Sequence, residues 1–268
     1  MQNDAPGFDE ELFKQLKAEI AADPFPIVIG MGDYCDNFRP TVRMKIETMT
    51  ADDKDFRSVL DDEARRRLNV ITDLIAPIFK PKRGVCIGLL RGHHLYEFAD
   101  GVNSDQKLCG TFKCRYLDEM AYIRVVFSIN GRHQSEIIIH AQHGDGGAGM
   151  TGPDISNLER KTVPYWDADL YLRGHSTKRW AAPFLEYKMS RQHKGPPHLV
   201  QKTKWAVNTG GFMRGHLNGQ STYVSRKNMP PANLGYTVVA VDLTRHNNGY
   251  RNKNRQPDTE ARLSVTLR

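Results

Sequence analysis

The chain has 268 residues, of which 39% are hydrophobic, and this apolar content is too high for a disordered protein. Its 38 Lys and Arg against 31 Asp and Glu give a net charge of +7, which favours anionic partners such as phosphate esters or nucleic acid without identifying one. The sequence has no run of about 18 apolar residues that would span a membrane, and it does not begin like a secretory signal. We therefore expect a cytoplasmic protein without membrane contact.

The cysteine pattern excludes two common stabilising devices. Cys35, Cys86, Cys109 and Cys114 lack the CxxC spacing of a structural zinc site, and four cysteines are too few to crosslink a chain of this length. We expect reduced thiols that mostly fill space in the core.

Hydrophobic periodicity predicts helices early in the chain and strands in most of the remainder. Apolar residues recur at helical spacing in 8–22 and 52–76, and 154–161 is a candidate short helix. Strands are predicted at 26–31, 85–90, 122–129, 136–140, 169–172, 184–189, 199–207, 237–243 and 263–267. Asn130-Gly131 predicts a hairpin turn.

The organisation of the chain predicts an α/β (α+β) protein in a single domain, residues 1–268. The sequence contains no internal repeat and no linker that would separate two domains. The polar, Asn-rich segment 245–257 is predicted to be an exposed loop.

Four predicted strands end in the same way, with an apolar run, a glycine and residues that can bind a metal ion. The segments and their candidate ligands are GMGDYCDN with Asp33, LLRGHH with His93 and His94, IIIHAQHGDGG with His143, and LYLRGHS with His175. Ligands in α/β proteins bind outside the carboxyl ends of strands, so we expect these ends to converge on one pocket. Aspartate and neutral imidazole suit divalent ions such as Zn, Mn or Fe. A single strand-end histidine is more often an ordinary polar residue, but four repeats favour a site.

His140 precedes His143 by three residues on the same predicted strand. An odd spacing on a strand places two side chains on opposite faces of the sheet. We therefore do not expect His140 to be an additional ligand.

The four segments resemble the GDxxD, GNH(E/D), HG and GHxH motifs of the calcineurin-like metallophosphoesterases, in the same order. The segments IGMGDYCD, NTGGFMRGHLNGQSTYV and PPANLGY are most similar to phage-encoded members, for which the compartment would be the host cytoplasm. The resemblance runs from Phe8 to about Leu243. It implies a two-sheet β-sandwich flanked by helices in four layers. It also implies hydrolysis of a phosphodiester or phosphomonoester, with nucleic acid or a nucleotide among the candidate substrates, by a hydroxide that divalent metal ions activate.

The resemblance also assigns roles to individual residues. Asp33 matches the aspartate that bridges two metal ions, and His143 and His175 match two histidine ligands of the second ion. His93 stands where the family has an asparagine ligand. His94 matches the histidine that assists the leaving group as a general acid or by stabilising charge.

Two family positions are not matched, and both would bind the first metal ion. The family's DxH motif, on a strand before the first helix, is absent, although Asp4 lies near its place. The second histidine of the last motif is Thr177. We therefore expect one metal site and regard a second as doubtful.

Three interpretations of these departures remain open. The natural protein could begin further upstream and include the DxH strand. The chain could be a single-metal hydrolase in which basic side chains replace the missing ion. It could also be a degenerate, non-catalytic member that binds nucleic acid or another polyanion.

Basic residues next to the motifs are candidates for phosphate binding. Arg91 and Arg173 precede motif glycines, and Lys178 and Arg179 follow His175 closely. Guanidinium and ammonium groups form charge-assisted hydrogen bonds with phosphate oxygens. The alternative for Arg91 and Arg173 is that their side chains end the strands in solvent.

Overall fold

The computed structural model describes residues 7–35, 54–79, 86–129, 132–144, 150–176, 178–189, 197–220, 222–226, 228, 230–231, 233–246 and 258–268. Within these ranges the helices are α1 (Glu10–Ala22), α2 (Lys54–Phe79), α3 (Ser104–Phe112), α4 (Thr151–Lys161) and the short α5 (Tyr223–Arg226). None of these helices combines the length and the apolar content that crossing a bilayer requires.

The helix boundaries follow from local capping. Helix α1 begins at Glu10 because the Asp9 carboxylate accepts the backbone N–H of Leu12 at 3.1 Å. The predicted helices 8–22, 52–76 and 154–161 are confirmed as α1, α2 and α4. Helix α3 was not predicted, although Asn103 and Gln106 form the reciprocal capping box that marks its first turn.

The strands form three sheets in the described part of the chain. Their bounds are β1 (Val28–Gly30), β2 (Cys86–Leu89), β3 (Arg115–Tyr116), β4 (Met120–Ile129), β5 (Arg132–Gln142), β6 (Leu170–Arg173), β7 (Trp180–Met189), β8 (Leu199–Asn208), β9 (Thr237–His246) and β10 (Asp258–Leu267). One sheet is parallel in the order β1-β2-β3, one is mixed in the order β4-β5-β6-β8-β7, and β9 pairs with β10. The chain is thus a mixed α and β protein, as predicted.

Two predicted connections fall at the limits of the described residues. Strands β4 and β5 pair antiparallel as expected, and the predicted turn residues Asn130 and Gly131 lie outside the described residues. Strand β9 continues through His246, so the first two residues of the predicted loop 245–257 belong to a strand. The rest of that segment is not among the described residues.

Alternation along the strands of the five-stranded sheet sends its side chains into two different cores. Ile139 of β5 and Leu172 of β6 pack in one cluster with Ile29 of β1 and with Leu90, which directly follows β2. Residues of β9 and β10, including Val241 and Leu263, pack against the same cluster. Side chains on the opposite face of the sheet pack with Leu158 of α4, namely Tyr171, Trp180 and Ala206. Helices α1, α2 and α3 cover the three-stranded sheet in a separate cluster that includes Phe13, Ile71, Leu89 and Leu108.

Two pairs of parallel strands place the motif segments. Strands β1 and β2 are parallel in the three-stranded sheet, and β5 and β6 are parallel in the five-stranded sheet. Asp33, His93, His143 and His175 follow the carboxyl ends of these four strands. Since Ile29 and Leu90 share a core with Ile139 and Leu172, the two pairs lie next to each other and their ends meet.

Candidate metal centre

Three histidines from three different strand ends meet in one cluster. One ring nitrogen each of His93, His143 and His175 lies within 4.8 Å of the other two. The Nδ1 atoms of His93 and His175 are 3.1 Å apart. Among the described residues, this is the group of three or more His, Cys, Asp or Glu side chains with a geometry that could hold a metal ion. The predicted convergence of the strand ends is therefore confirmed for these residues.

Asp33 contacts the cluster through both carboxylate oxygens. Its Oδ1 accepts the backbone N–H groups of His93 at 2.7 Å and His94 at 3.1 Å. Its Oδ2 lies 3.4 Å from Nε2 of His143 and 3.9 Å from Nδ1 of His175. One oxygen thus orders the turn that carries His93, while the other faces the imidazoles.

The His143 ring is held in the orientation and tautomer that metal binding requires. Its Nδ1 lies 2.6 Å from the carbonyl oxygen of Met31, and because a carbonyl only accepts, Nδ1 carries the proton of the neutral ring. Its Nε2 is buried and makes no hydrogen bond of normal geometry. Histidine ligands commonly donate their second N–H to a carbonyl in this way, which fixes the ring and directs the other nitrogen at the ion. The buried, unsatisfied Nε2 therefore fits a bound cation.

The electrostatics of the cluster keep two of its candidate ligands, Asp33 and His175, in the forms that bind a cation. Burial alone would raise the pKa of Asp33, but its contact with His143 and the charge of that ring hold the pKa well below the usual range. Burial together with repulsion from His143 lowers the pKa of His175 to about 4. Burial also opposes protonation of His143, but the neighbouring Asp33 carboxylate raises the pKa of His143 above its ordinary value. Asp33 is thus ionised and His175 neutral at physiological pH.

The backbone is strained at two of the ligands. Asp33 has φ +51° and His175 has φ +62°, in the left-handed region that L residues rarely adopt. This conformation costs about 1–2 kcal/mol per residue, and such strain concentrates at functional sites. Glycine would adopt this conformation without strain, so the presence of an aspartate and a histidine at these two positions supports a functional role.

The motif glycines allow the turns to approach closely. A Cβ on Gly32, which has φ +92°, would lie 2.4 Å from Nδ1 of His143. A Cβ on Gly92 would lie 2.1 Å from the backbone nitrogen of Asp33. The repeated pattern of an apolar run, a glycine and a ligand thus has a steric cause at these two positions.

Asp105, which the sequence analysis missed, supports the cluster from α3. Its side chain is buried, and its Oδ2 accepts the backbone N–H of Gly92 at 2.8 Å. Burial, with a smaller contribution from the charge of Asp33, raises the pKa of Asp105 to about 6. Asp105 therefore holds the Gly92 turn from one side while Asp33 holds it from the other. The capping box of α3 was the sequence signal that could have placed it.

His94 lies beside the three-histidine cluster and is not part of it. Its backbone N–H binds Asp33, and its charge contributes to lowering the pKa values of Asp33 and His175. This position is compatible with the predicted role next to a leaving group, which stays a prediction.

Two of the predicted phosphate-binding residues lie at the surface near the strand ends. Arg91 is partly exposed, and its Nη1 lies 3.7 Å from Oε1 of Glu119 and 4.0 Å from Oδ1 of Asp118. Lys178 is half-buried, and its backbone forms an isolated parallel β-bridge with that of Asn233. Their predicted contacts with phosphate stay predictions.

Arg173 occupies a different environment from the one expected. Its Nη1 forms a 2.9 Å ion pair with Oδ1 of Asp154, a fully buried residue of α4. Asp154 also accepts from Nε1 of Trp180 at 2.9 Å and from Nδ2 of Asn208 at 3.1 Å. The alternative interpretation, a solvent-facing Arg173 guanidinium, is therefore wrong, and the predicted contact of Arg173 with phosphate stays a prediction.

His140 packs away from the cluster, as the odd spacing predicted. Its buried ring packs in a tilted arrangement against Trp166 and Tyr171, with ring centroids 5.2 Å and 6.0 Å apart, on the face of the sheet that α4 covers. Asp4 and Thr177, the two positions that bear on a first metal ion, lie outside the described residues.

Comparisons with protein-family models, curated proteins and solved structures found no match to this chain. The resemblance to calcineurin-like metallophosphoesterases therefore rests on the motif segments alone.

Proposed function

We propose that the chain is a metal-dependent phosphoesterase of the calcineurin-like kind, which hydrolyses a phosphodiester or phosphomonoester. The observation that carries this proposal is the buried Nε2 of His143, held towards two further imidazoles and the Asp33 carboxylate. Nε2 of His140 is also buried without a hydrogen-bond partner, but the His140 ring lies against Trp166 and Tyr171, whereas the His143 ring lies against other candidate ligands.

The ligand set indicates the kind of ion. Three imidazole nitrogens and one carboxylate oxygen suit Zn, Mn or Fe, and the set contains no thiolate. A divalent ion bound there would supply Lewis-acid activation of water and of the phosphoryl group. Since both unmatched family positions belong to the first ion, the proposal requires one ion.

Neighbouring residues of the chain would position the metal ligands and the phosphoester. Met31 orients His143, Asp105 and Asp33 fix the Gly92 turn, and His94 would hold a proton for the departing ester oxygen. Arg91 is the exposed cation at the same strand end that would bind non-bridging phosphate oxygens.

The order of the cores supports the four-layer sandwich that the resemblance implies. Helices α1 to α3 cover the three-stranded sheet, the next core joins this sheet to β9, β10 and the five-stranded sheet, and α4 covers the far face. We propose this sandwich as the architecture that brings the two parallel pairs together.

The test compares His143→Ala with His140→Ala, which removes a buried histidine of β5, the strand that His143 follows, outside the cluster. After loading with Zn, Mn or Fe, metal content is measured by mass spectrometry and activity with a bis-aryl phosphodiester. We expect about one tightly bound ion and metal-dependent cleavage in the wild type and in His140→Ala, and loss of both in His143→Ala. Failure of the wild type to retain any of these ions would refute the proposal. Stoichiometric metal without cleavage of phosphodiesters or phosphomonoesters would refute the enzyme and leave the polyanion-binding alternative.

A further inference from the structure

A second group of reactive side chains lies away from the metal centre, where α3 ends and β3 begins. Helix α3 terminates at Lys113, which is left-handed with φ 53° and ψ 39°. The backbone N–H of Cys114 donates to the carbonyl oxygen of Cys109 at 3.1 Å. This is the Schellman pattern of a helix end, in which the residues at these two positions make side-chain contact. Here both residues are cysteines.

A third cysteine joins them from the neighbouring strand. Cys86 is the first residue of β2, which pairs in parallel with β3 so that Gly88 faces Arg115, the residue after Cys114. All three cysteine side chains pack in the same core cluster, in which the Cys109 thiol lies 3.5 Å from the carbonyl oxygen of Arg115 and the Cys86 thiol lies 3.7 Å from that of Gly88. Three of the four cysteines of the chain thus gather at one point, although 28 positions separate the first from the last.

The surroundings distinguish Cys114 from the other three thiols. The neighbouring Cys109 and Cys86 thiols lower the pKa of the Cys114 thiol, while the neighbouring Cys114 raises the pKa values of Cys109 and Cys86. Cys114 and Cys86 are half-buried, and Cys109 is buried. Cys35, by comparison, is 1% exposed. Cys114 therefore combines thiolate character with access from solvent, the two properties that make a cysteine reactive.

We propose that Cys109 and Cys114 are a redox site that forms a reversible disulfide with a hydroperoxide as the oxidant, and that Cys86 is a third thiol able to exchange with this bridge. The Cys114 thiolate attacks the peroxide, the O–O bond breaks, and the sulfur becomes a sulfenic acid as hydroxide or alkoxide leaves. The Cys109 thiol then attacks this sulfur, the S–S bond forms, and the sulfenic oxygen leaves as water with the thiol proton. Two electrons pass from the two sulfurs to the peroxide, and a dithiol reductant reverses the reaction.

Pairwise contact favours a disulfide over a metal site at this point. A three-thiolate site needs all three sulfurs near one another, but among the described residues the group that meets a 4.8 Å limit on every pair is the histidine cluster. A disulfide needs only two cysteines whose backbones lie close together, and the hydrogen bond from the N–H of Cys114 to the carbonyl of Cys109 brings these two residues together.

Trypsin separates the three thiols, so peptide mapping tests the proposal directly. Cleavage after lysine and arginine places Cys86 in 84–91, Cys109 in 108–113 and Cys114 in 114–115. The native protein is treated with a small excess of hydrogen peroxide, its remaining thiols are alkylated, and the digest is analysed by mass spectrometry. We expect a product in which 108–113 is linked to 114–115, and we expect dithiothreitol to remove it. Cys35 should be alkylated at least about tenfold more slowly than Cys114 in the native protein.

Two conservative variants keep the test independent of folding. Cys109→Ser should move the bridge, so that 84–91 becomes linked to 114–115, and Cys114→Ser should abolish every bridge within the cluster. The proposal is overturned if peroxide leaves Cys114 unlinked in the wild type, whether as a free thiol or as an irreversibly oxidised acid. It is equally overturned if Cys35 reacts as fast as Cys114.

Discussion

Replacing Gly92 by alanine tests whether close approach of two turns builds the metal centre. The added Cβ would lie 2.1 Å from the backbone nitrogen and 2.8 Å from Cα of Asp33, whereas real Cβ contacts stay above 3.0 Å. Asp33 or Gly92 must therefore move by about 0.9 Å. Hydrogen bonds hold both segments, since the backbone N–H of His93 donates to Oδ1 of Asp33 and the backbone N–H of Gly92 donates to Oδ2 of Asp105. Neither segment can therefore move without breaking contacts.

The size of the effect follows from this displacement. Overpacking costs about 1–3 kcal/mol, and we expect the upper part of this range because the clash is with backbone. For a chain of this length that corresponds to a fall in Tm of about 5–10 °C. Metal sites tolerate ligand displacements of about 0.2 Å, so a shift of about 0.9 Å should lower the affinity for the ion at least tenfold.

The assay is thermal unfolding with and without the divalent ion, together with calorimetric titration. Gly110→Ala is the matched control because Gly110 lies within α3 and a Cβ there meets nothing within 4 Å. That variant should gain about 0.5–1 kcal/mol from helix propensity and bind the ion normally. If Gly92→Ala matched the wild type in Tm and in affinity, the steric explanation of the motif glycines would be wrong.

Two further predictions concern buried ionisable side chains on the face of the five-stranded sheet that α4 covers. Arg173→Ala leaves the buried Asp154 carboxylate without its cation, so the free energy of unfolding should fall by about 3–5 kcal/mol in a urea titration. An unchanged midpoint would show that this ion pair does not stabilise the fold, and Arg66→Ala, which removes an exposed ion pair, is the control with little expected effect. Burial lowers the pKa of His140, so the unfolded chain binds its proton more tightly, and this group's contribution to stability is lost as the pH falls below about 6.5. His140→Phe should therefore lose less stability than the wild type between pH 7 and pH 5 in parallel urea titrations, and equal losses would contradict the assignment of a buried neutral ring.

Local pattern was sufficient for most elements of the fold. Helix α1, helix α2 and the antiparallel pair of β4 and β5 follow from periodicity and turn residues that lie close together in the chain. Helix α3 was missed because its apolar pattern is weak, and its capping box with Asn103 is a short signal. Strand β3 is only two residues long, and no local pattern identifies such a segment.

The sequence by itself determined which residues form the candidate metal centre, because glycine followed by aspartate or histidine at a strand end is a local pattern with a local steric cause. Only the tertiary structure decided how these ends meet, since the two parallel pairs belong to different sheets and join residues far apart in the chain. It also decided the partners of Arg173 and Asp105, and the packing of three cysteines in one cluster at the end of α3. The physical reason is that a side chain's direction follows from its own strand or helix, whereas its partner depends on which distant segment the core packs against it.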